Sequence, residues 1–180
     1  MSDADHSLRI GHGYDLHRLE YLKKPGLRLI GGNGRPLVVG GVRLESELGP
    51  VAHSDGDALL HAVTDAILSA AGLEDIGQLF PDNDPANEGR DSMDFVRAAM
   101  VLVRGAGFEI VNVDATVVLD QPKLSPHKAV IRATIAGGLG LTIDRVNVKG
   151  KTHEARNAGK PVVEVHAVAL LRRPGRANEP

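Results

Sequence analysis

The chain has 180 residues and a formal charge of −2, from 21 Lys and Arg against 23 Asp and Glu, which fits one compact domain and gives no bulk electrostatic case for nucleic acid or an anionic membrane. It has no Cys, no Trp, three Phe and two Tyr. Disulfides and thiolate chemistry are therefore excluded, His and carboxylates are the available metal ligands, and the core must be built from Val, Leu, Ile and Ala. No apolar run approaches a membrane span, and the start, Met1-Ser-Asp-Ala-Asp-His6, lacks the basic-then-apolar order of a signal peptide; a cytoplasmic protein is the expectation.

In chain order, residues 1–7 and 173–180 read as flexible ends of a domain spanning 8–172. A first strand covers 8–15, and the Gly-, Lys-, Arg- and Pro-rich residues 20–36 read as an exposed loop. Residues 37–44 read as a strand interrupted by Gly40-Gly41. Ser54 is the expected N-cap of the next helix, with Asp57 completing a capping box, and Leu59, Leu60, Val63, Ala66, Ile67 and Ala70 form its apolar stripe as far as Gly72. A polar loop over 74–85 leads to a helix over 92–104 that stops at Gly105. Residues 111–117 alternate as a half-buried strand does. A helix follows Pro126 and ends at Gly137-Gly138, and strands over 146–149 and 162–171 complete the chain. This order predicts an α+β domain, a sheet with helices packed on one face.

Several clusters of residues carry chemistry. Asp15-x-His17 places both side chains on one strand face. His61, near the start of the following helix, can close a set of two His and one carboxylate, which leaves a coordination position open for substrate or water. Asp57, His61 and Asp65, at i, i+4 and i+8, share a helix face, which a solvated surface would also explain. His53 and Ser54 stand where a helix N-terminus can attract phosphate. The segment Asp75, Ile76, Gly77 and Phe80, Pro81, Asp82, Asn83, Asp84 can bind a hydroxylated ligand or serve as a turn-rich connector. Leu119, Asp120, Gln121, Pro122, Lys123, Leu124 and Ser125 form a Pro-stiffened exit from a strand, suited to reading a planar group or to a structural turn. Lys151, Thr152 and Glu154 can serve a diphosphate and its cation, but Gly150-Lys-Thr152 lacks the upstream Gly and following helix of a P-loop.

Together, Arg9-Ile-Gly-His-Gly-Tyr-Asp-Leu-His17, Gly40-Gly-Val-Arg-Leu44, the run from His53 through His61 and Asp75-Ile-Gly77 to Pro85, Asp91-Ser92, Pro122-Lys123 and Ala167-Val-Ala-Leu-Leu171 resemble the 2-C-methyl-D-erythritol 2,4-cyclodiphosphate synthase family. The resemblance covers about residues 8–172. It implies a homotrimer with active sites between neighbouring subunits. It implies zinc on Asp15, His17 and His61, and a second cation, magnesium or manganese, on Glu154. His53 and Thr152 match the catalytic pair. Ser54, Asp75 to Gly77 and Phe80 to Asp84 match substrate-binding segments, with Lys151 and His153 beside the diphosphate, and 119–125 match a cytidine pocket lent by the adjacent subunit. The implied reaction turns 4-diphosphocytidyl-2-C-methyl-D-erythritol 2-phosphate into the 2,4-cyclodiphosphate and CMP, a step of non-mevalonate isoprenoid biosynthesis.

The C-terminal third departs from this pattern. The family usually has Thr-Thr-x-Glu where this chain has Lys151-Thr-His-Glu154, and Asp120 stands where Gln is common. The segment 155–161 is about two residues short of the pattern, and the Phe that lines a central cavity of the trimer has no counterpart. The alternative reading is a divergent metal-containing trimer that binds a phosphorylated small molecule or nucleotide without turning it over.

Overall fold

The computed structural model describes residues 7–22, 33–81, 83–154 and 161–174. The expected flexible ends fall largely outside these residues, as do Asp82 and the loop interior over 23–32. The elements are β1 (Leu8–Tyr21), β2 (Val38–Val39), β3 (Val42–Arg43), β4 (Leu48–Pro50), α1 (Ala58–Ala71), α2 (Ile76–Leu79), α3 (Ser92–Gly105), β5 (Glu109–Leu119), α4 (Lys128–Leu139), β6 (Val146–Lys151) and β7 (Val162–Arg172). The main sheet has the order β4-β1-β7-β5-β6; its described pairs are antiparallel except β5 with β6, which α4 connects. This is the expected α+β domain, with α1 and α4 against one face of the sheet and α3 packed on both helices. Among the described residues no helix is long and apolar enough to cross a membrane.

Side-chain alternation divides the sheet cleanly. Val163, Val165, Ala167, Ala169 and Leu171 of β7 point under the helices and are buried, as are Val113, Ala115 and Val117 of β5. The opposite face carries Leu8, Ile10, Tyr14, Leu16 and Val168, all exposed, with Ile10 74% exposed.

β1 is longer than its sequence pattern predicts, because after pairing with β7 through Arg18 it pairs with β4 from Leu19 to Tyr21. Its inward positions run Gly11, Gly13, Asp15, His17, Leu19. The two glycines let α1 come down onto the strand backbone. A Cβ on Gly13 would sit 1.9 Å from the Ala62 carbonyl oxygen, and one on Gly11 2.1 Å from that of Ala66. Facing them, α1 presents Ala62, Ala66 and Ala70, all buried. Glycine opposite alanine thus fixes the height of α1 above the strand that carries Asp15 and His17.

Three local expectations change. The N-cap of α1 is Asp57, not Ser54, since Gly56 in the left-handed region (φ 74°) delays the helix. The Gly40-Gly41 interruption is a two-residue hairpin turn with both φ positive (63° and 76°), the geometry that joins two twisted strands tightly. Finally, α4 runs through Gly137-Gly138 and stops at Gly140 (φ 67°). Gly138 is a packing glycine: a Cβ there would meet Met93 Sδ at 2.3 Å.

Asp57 joins two of these features. Its Oδ1 accepts from Gly40 N–H (2.9 Å), Leu59 N–H (3.1 Å) and Leu60 N–H (3.0 Å), and its Oδ2 accepts from Gly41 N–H (2.6 Å). The side chain is wholly buried, and burial pushes its carboxyl up against the pull of those donors. Asp57→Ala strands several buried N–H groups and removes a helix cap. It should lower the unfolding free energy by about 3 kcal/mol or more, measured by urea titration of the metal-free protein.

Candidate metal centre and substrate cleft

Asp15 and His17 lie two residues apart on the inner face of β1, and His61 lies one turn into α1, held above them by the glycine–alanine contact. The ligand-capable atoms of the three residues all lie within 4.8 Å of one another. Asp15 Oδ2 is 3.1 Å from His17 Nε2 and 3.1 Å from His61 Nδ1. His17 Nε2 is buried and has no hydrogen-bond partner. A buried imidazole nitrogen without a partner is costly unless something fills the position it faces. Two imidazoles and one carboxylate are a donor set that fits a zinc-type cation with a position open to substrate.

The protonation of the group follows from its packing. Burial alone would raise the Asp15 carboxyl, but the adjacent imidazoles of His17 and His61 outweigh it and hold Asp15 well below the usual carboxylate range. Burial pulls His61 down, and the hydrogen bond and charge of Asp15, with the charges of Asp57 and Asp55, push it up; the net shift is upward. The opposite ring edge of His61 is also held. Its Nε2 lies 2.9 Å from Ser92 Oγ and 3.3 Å from Ser54 Oγ. Ser92 Oγ in turn donates to Asp55, which also accepts the Ser92 backbone N–H (3.0 Å). In the tautomer a metal selects, Nδ1 is free toward Asp15 and Nε2–H donates to Ser92, so the Ser92–Asp55 pair orients the ligand.

The group opens into a cleft of about 300 Å³ whose walls include His53, Ser54, Ile76, Gly77 and Phe80. Sequence reasoning named these residues, and the fold brings them to one place. Asp65 attaches the far wall: its Oδ1 accepts from Ile76 N–H (2.8 Å) at the start of α2. Burial and the neighbouring acidic charges raise the Asp65 carboxyl although that bond pulls it down. Phe80 packs on Phe95 at 4.8 Å between centroids, and the Arg90 guanidinium lies 5.4 Å and 5.0 Å from the two rings. His53 is largely exposed on the rim, its Nδ1 3.4 Å from Glu88 Oε2, while Arg35 holds the other Glu88 oxygen and the Ala52 carbonyl.

The remaining predicted site residues lie elsewhere. Asp75 and Asp84 cap short helical turns, accepting from Gln78 N–H and Ala86 N–H. With Pro81 and Asn83 they are absent from the cleft wall, and Asp82 is outside the described residues. Residues 119–125 and 151–154 sit at the adjacent ends of β5 and β6 and also contribute nothing to this cleft. Leu119 and Leu124 are core side chains, so only their backbone is free to contact a ligand, and Gln121-Pro122 is a cis peptide. Thr152 Oγ1 donates to Glu154 Oε1 (2.8 Å). The expected phosphate cradle at the start of α1 does not form, because Asp57 already takes the Leu59 and Leu60 N–H groups.

Sequence reasoning assigned no role to Ser92, Asp55, Phe95 or the pair Gly11 and Gly13. Asp91-Ser92 looks like an ordinary helix start, and Asp91 is indeed the cap. The readable signal was alternate glycines on a strand beside alanines four apart on a helix.

The model of the YgbB family matches residues 8–172. A chloroplastic 2-C-methyl-D-erythritol 2,4-cyclodiphosphate synthase of Oryza sativa is 48% identical over 167 residues, covering 92% of this chain and 70% of that protein. The 2-C-methyl-D-erythritol 2,4-cyclodiphosphate synthase of Ectopseudomonas mendocina is 47% identical over 169 residues, covering 91% of this chain and 98% of that protein. A solved structure of a 2C-methyl-D-erythritol-2,4-cyclodiphosphate synthase in a CDP-bound form matches with a TM-score of 0.78 at 42% identity, covering 91% of this chain and 99% of that one.

Ser92→Ala should weaken zinc binding by about 10- to 100-fold, measured by competition with a chromophoric chelator. Zinc affinity should also fall on acidification. A ligating imidazole must be neutral, and the raised pKa of His61 makes protons compete from a higher pH than at an ordinary histidine near 6.5.

Proposed function

The chain belongs to the YgbB family, and from that premise we propose that its cleft carries out the reaction of the 2-C-methyl-D-erythritol 2,4-cyclodiphosphate synthases. It is a lyase of non-mevalonate isoprenoid biosynthesis that converts 4-diphosphocytidyl-2-C-methyl-D-erythritol 2-phosphate to 2-C-methyl-D-erythritol 2,4-cyclodiphosphate and CMP. An oxygen of the 2-phosphate bonds to the β-phosphorus. The bond from that phosphorus to the bridging oxygen breaks, and CMP leaves with the bridging oxygen. The observation that carries the reading is the convergence of Asp15, His17 and His61 within 4.8 Å at the floor of a cleft walled by His53, Ser54, Ile76, Gly77 and Phe80.

Such a transfer needs in-line positioning and neutralisation of phosphoryl charge, with no covalent help from the protein. Asp15, His17 and His61 would hold zinc and Glu154 a magnesium or manganese ion, which when bound supply Lewis-acid charge to the phosphoryl oxygens. His53, on the rim and 3.4 Å from Glu88, would donate to a phosphate oxygen. Ser54 and the start of α2 line the side of the cleft suited to the methylerythritol, and Thr152 and Lys151 would face the diphosphate.

Residues 119–125 and 151–154 lie outside this cleft, which supports a site completed by a neighbouring copy. The bare sheet face supplies the contact: Leu8, Ile10, Tyr14, Leu16 and Val168 expose apolar surface of the kind that marks an interface. A homotrimer built on this face brings one chain's cytidine loop to another's metal centre. The anionic substrate and CMP call for an aqueous compartment, and the proposed one is the cytoplasm.

Purified protein given the substrate and Mg2+ should release CMP, and its mass by light scattering should be three times the 19.1 kDa of the chain. His61→Ala should keep the trimer and lose nearly all turnover. Ile10→Asp should break the trimer and abolish turnover while the subunit still binds zinc. A zinc-loaded trimer that binds CDP but releases no CMP would overturn the reading in favour of a binding protein.

A further inference from the structure

Two residues singled out in the C-terminal third touch each other in the fold. Asp120 follows β5; His153 follows β6, between Thr152 and Glu154. The parallel β5–β6 ladder ends at Val118 and Lys151. Two residues further along each chain, the His153 backbone N–H donates to Asp120 Oδ1 (2.8 Å), so a side chain continues the register where the backbone ladder stops. The His153 ring is close to the same carboxylate, with Nδ1 3.3 Å from Asp120 Oδ2. On its other edge Nε2 is 3.6 Å from Glu164 Oε2, on β7. The ring is only 8% exposed, and neither nitrogen makes a well-formed hydrogen bond. It therefore acts as a buried wedge flanked by two carboxylates, with the backbone bond as the strong tie.

This geometry assigns Asp120 a role its position in the loop does not suggest. Each of its oxygens lies close to an atom of His153, while the side chain itself is 48% exposed. The contact joins the two segments that a cytidine diphosphate would span on the substrate reading above, the loop over 119–125 and the segment over 151–154. We propose that Asp120 and His153, backed by Glu164, are positioning residues that clamp the cytidine loop to the diphosphate segment at a fixed separation, so that this chain favours ligands carrying both cytosine and a diphosphate. The clamp rests on the substrate reading above. Its benefit is preorganisation: a ligand that engages both segments need not order one relative to the other on binding. A ligand that engages the loop alone gains nothing from it.

The test compares two ligands on the zinc-loaded protein by calorimetry: cytidine, which reaches only the loop, and CDP with Mg2+, which reaches both segments. Asp120→Ala should weaken CDP binding about tenfold and cytidine binding by a clearly smaller factor. His153→Ala keeps the backbone bond and should lose somewhat less. The double variant should be no worse than Asp120→Ala, because residues of one contact are non-additive. Asp120→Asn, which keeps an acceptor for the His153 N–H, guards against loss of folding and should show the same split at smaller size. Equal losses for cytidine and CDP, additive losses in the double variant, or unchanged CDP binding would each overturn the clamp. Turnover of the unaltered protein is followed in parallel. The predicted split without any CMP release sinks the synthase reading alone, and CMP release without the split sinks the clamp alone.

Discussion

The structure depends on one buried carboxylate. Asp57 takes four backbone N–H groups, two from the Gly40-Gly41 turn and two from the first turn of α1. Removing a charge from water is expensive, and only a full set of donors offsets it. In return, the turn and the helix share a single anchor, which sets where α1 begins and therefore where His61 falls along it. The same grip has an electrostatic consequence. By occupying the helix N-terminus, Asp57 denies it to phosphate, so an anionic substrate must find its counter-charge in cations and its hydrogen-bond donors in rim groups such as His53. This is consistent with a chain of net charge −2 handling a highly charged ligand.

The candidate site combines rigid and loosely held parts. Asp15, His17 and His61 are on a long strand and a capped helix, and the Ser92–Asp55 pair steadies His61 from behind. His53, on the rim, is on a connection between elements. The division suits phosphoryl transfer. The charge that organises the reactant must be placed accurately, whereas groups that meet the ligand from its flanks benefit from arriving with it. The loop after β5 and the segment after β6 are an intermediate case, since the Asp120–His153 contact gives two connections some of the rigidity of a sheet.

Much of this was legible in the sequence where it rested on periodicity. Alternation along 162–171 and the apolar stripe from Leu59 to Ala70 predicted a strand and a helix that the fold contains, and Asp15-x-His17 with His61 was readable as one ligand set because both periods were clear. Boundaries failed where long-range pairing decided them: β1 outruns its pattern because β4 extends it, and α4 outruns Gly137-Gly138 because Gly138 makes room for Met93. Asp57 was misread as a capping-box partner of Ser54 because no local rule shows a side chain reaching seventeen residues back to Gly40. Ser92 and Phe95 were missed for the same reason, since their partners are distant in sequence.

The contact between β1 and α1 has an evolutionary consequence. At Gly11 and Gly13 the helix rests on the strand through main-chain atoms, so the spacing between Asp15, His17 and His61 is a dimension of the backbone itself. Large core side chains can be exchanged for others of similar volume elsewhere under α1 and α3 without changing that spacing. The glycine and alanine positions allow no such drift, because there is no smaller side chain to substitute for glycine and any larger one lifts the helix. Divergence in this domain should therefore accumulate in its bulky apolar residues, while its smallest residues stay fixed.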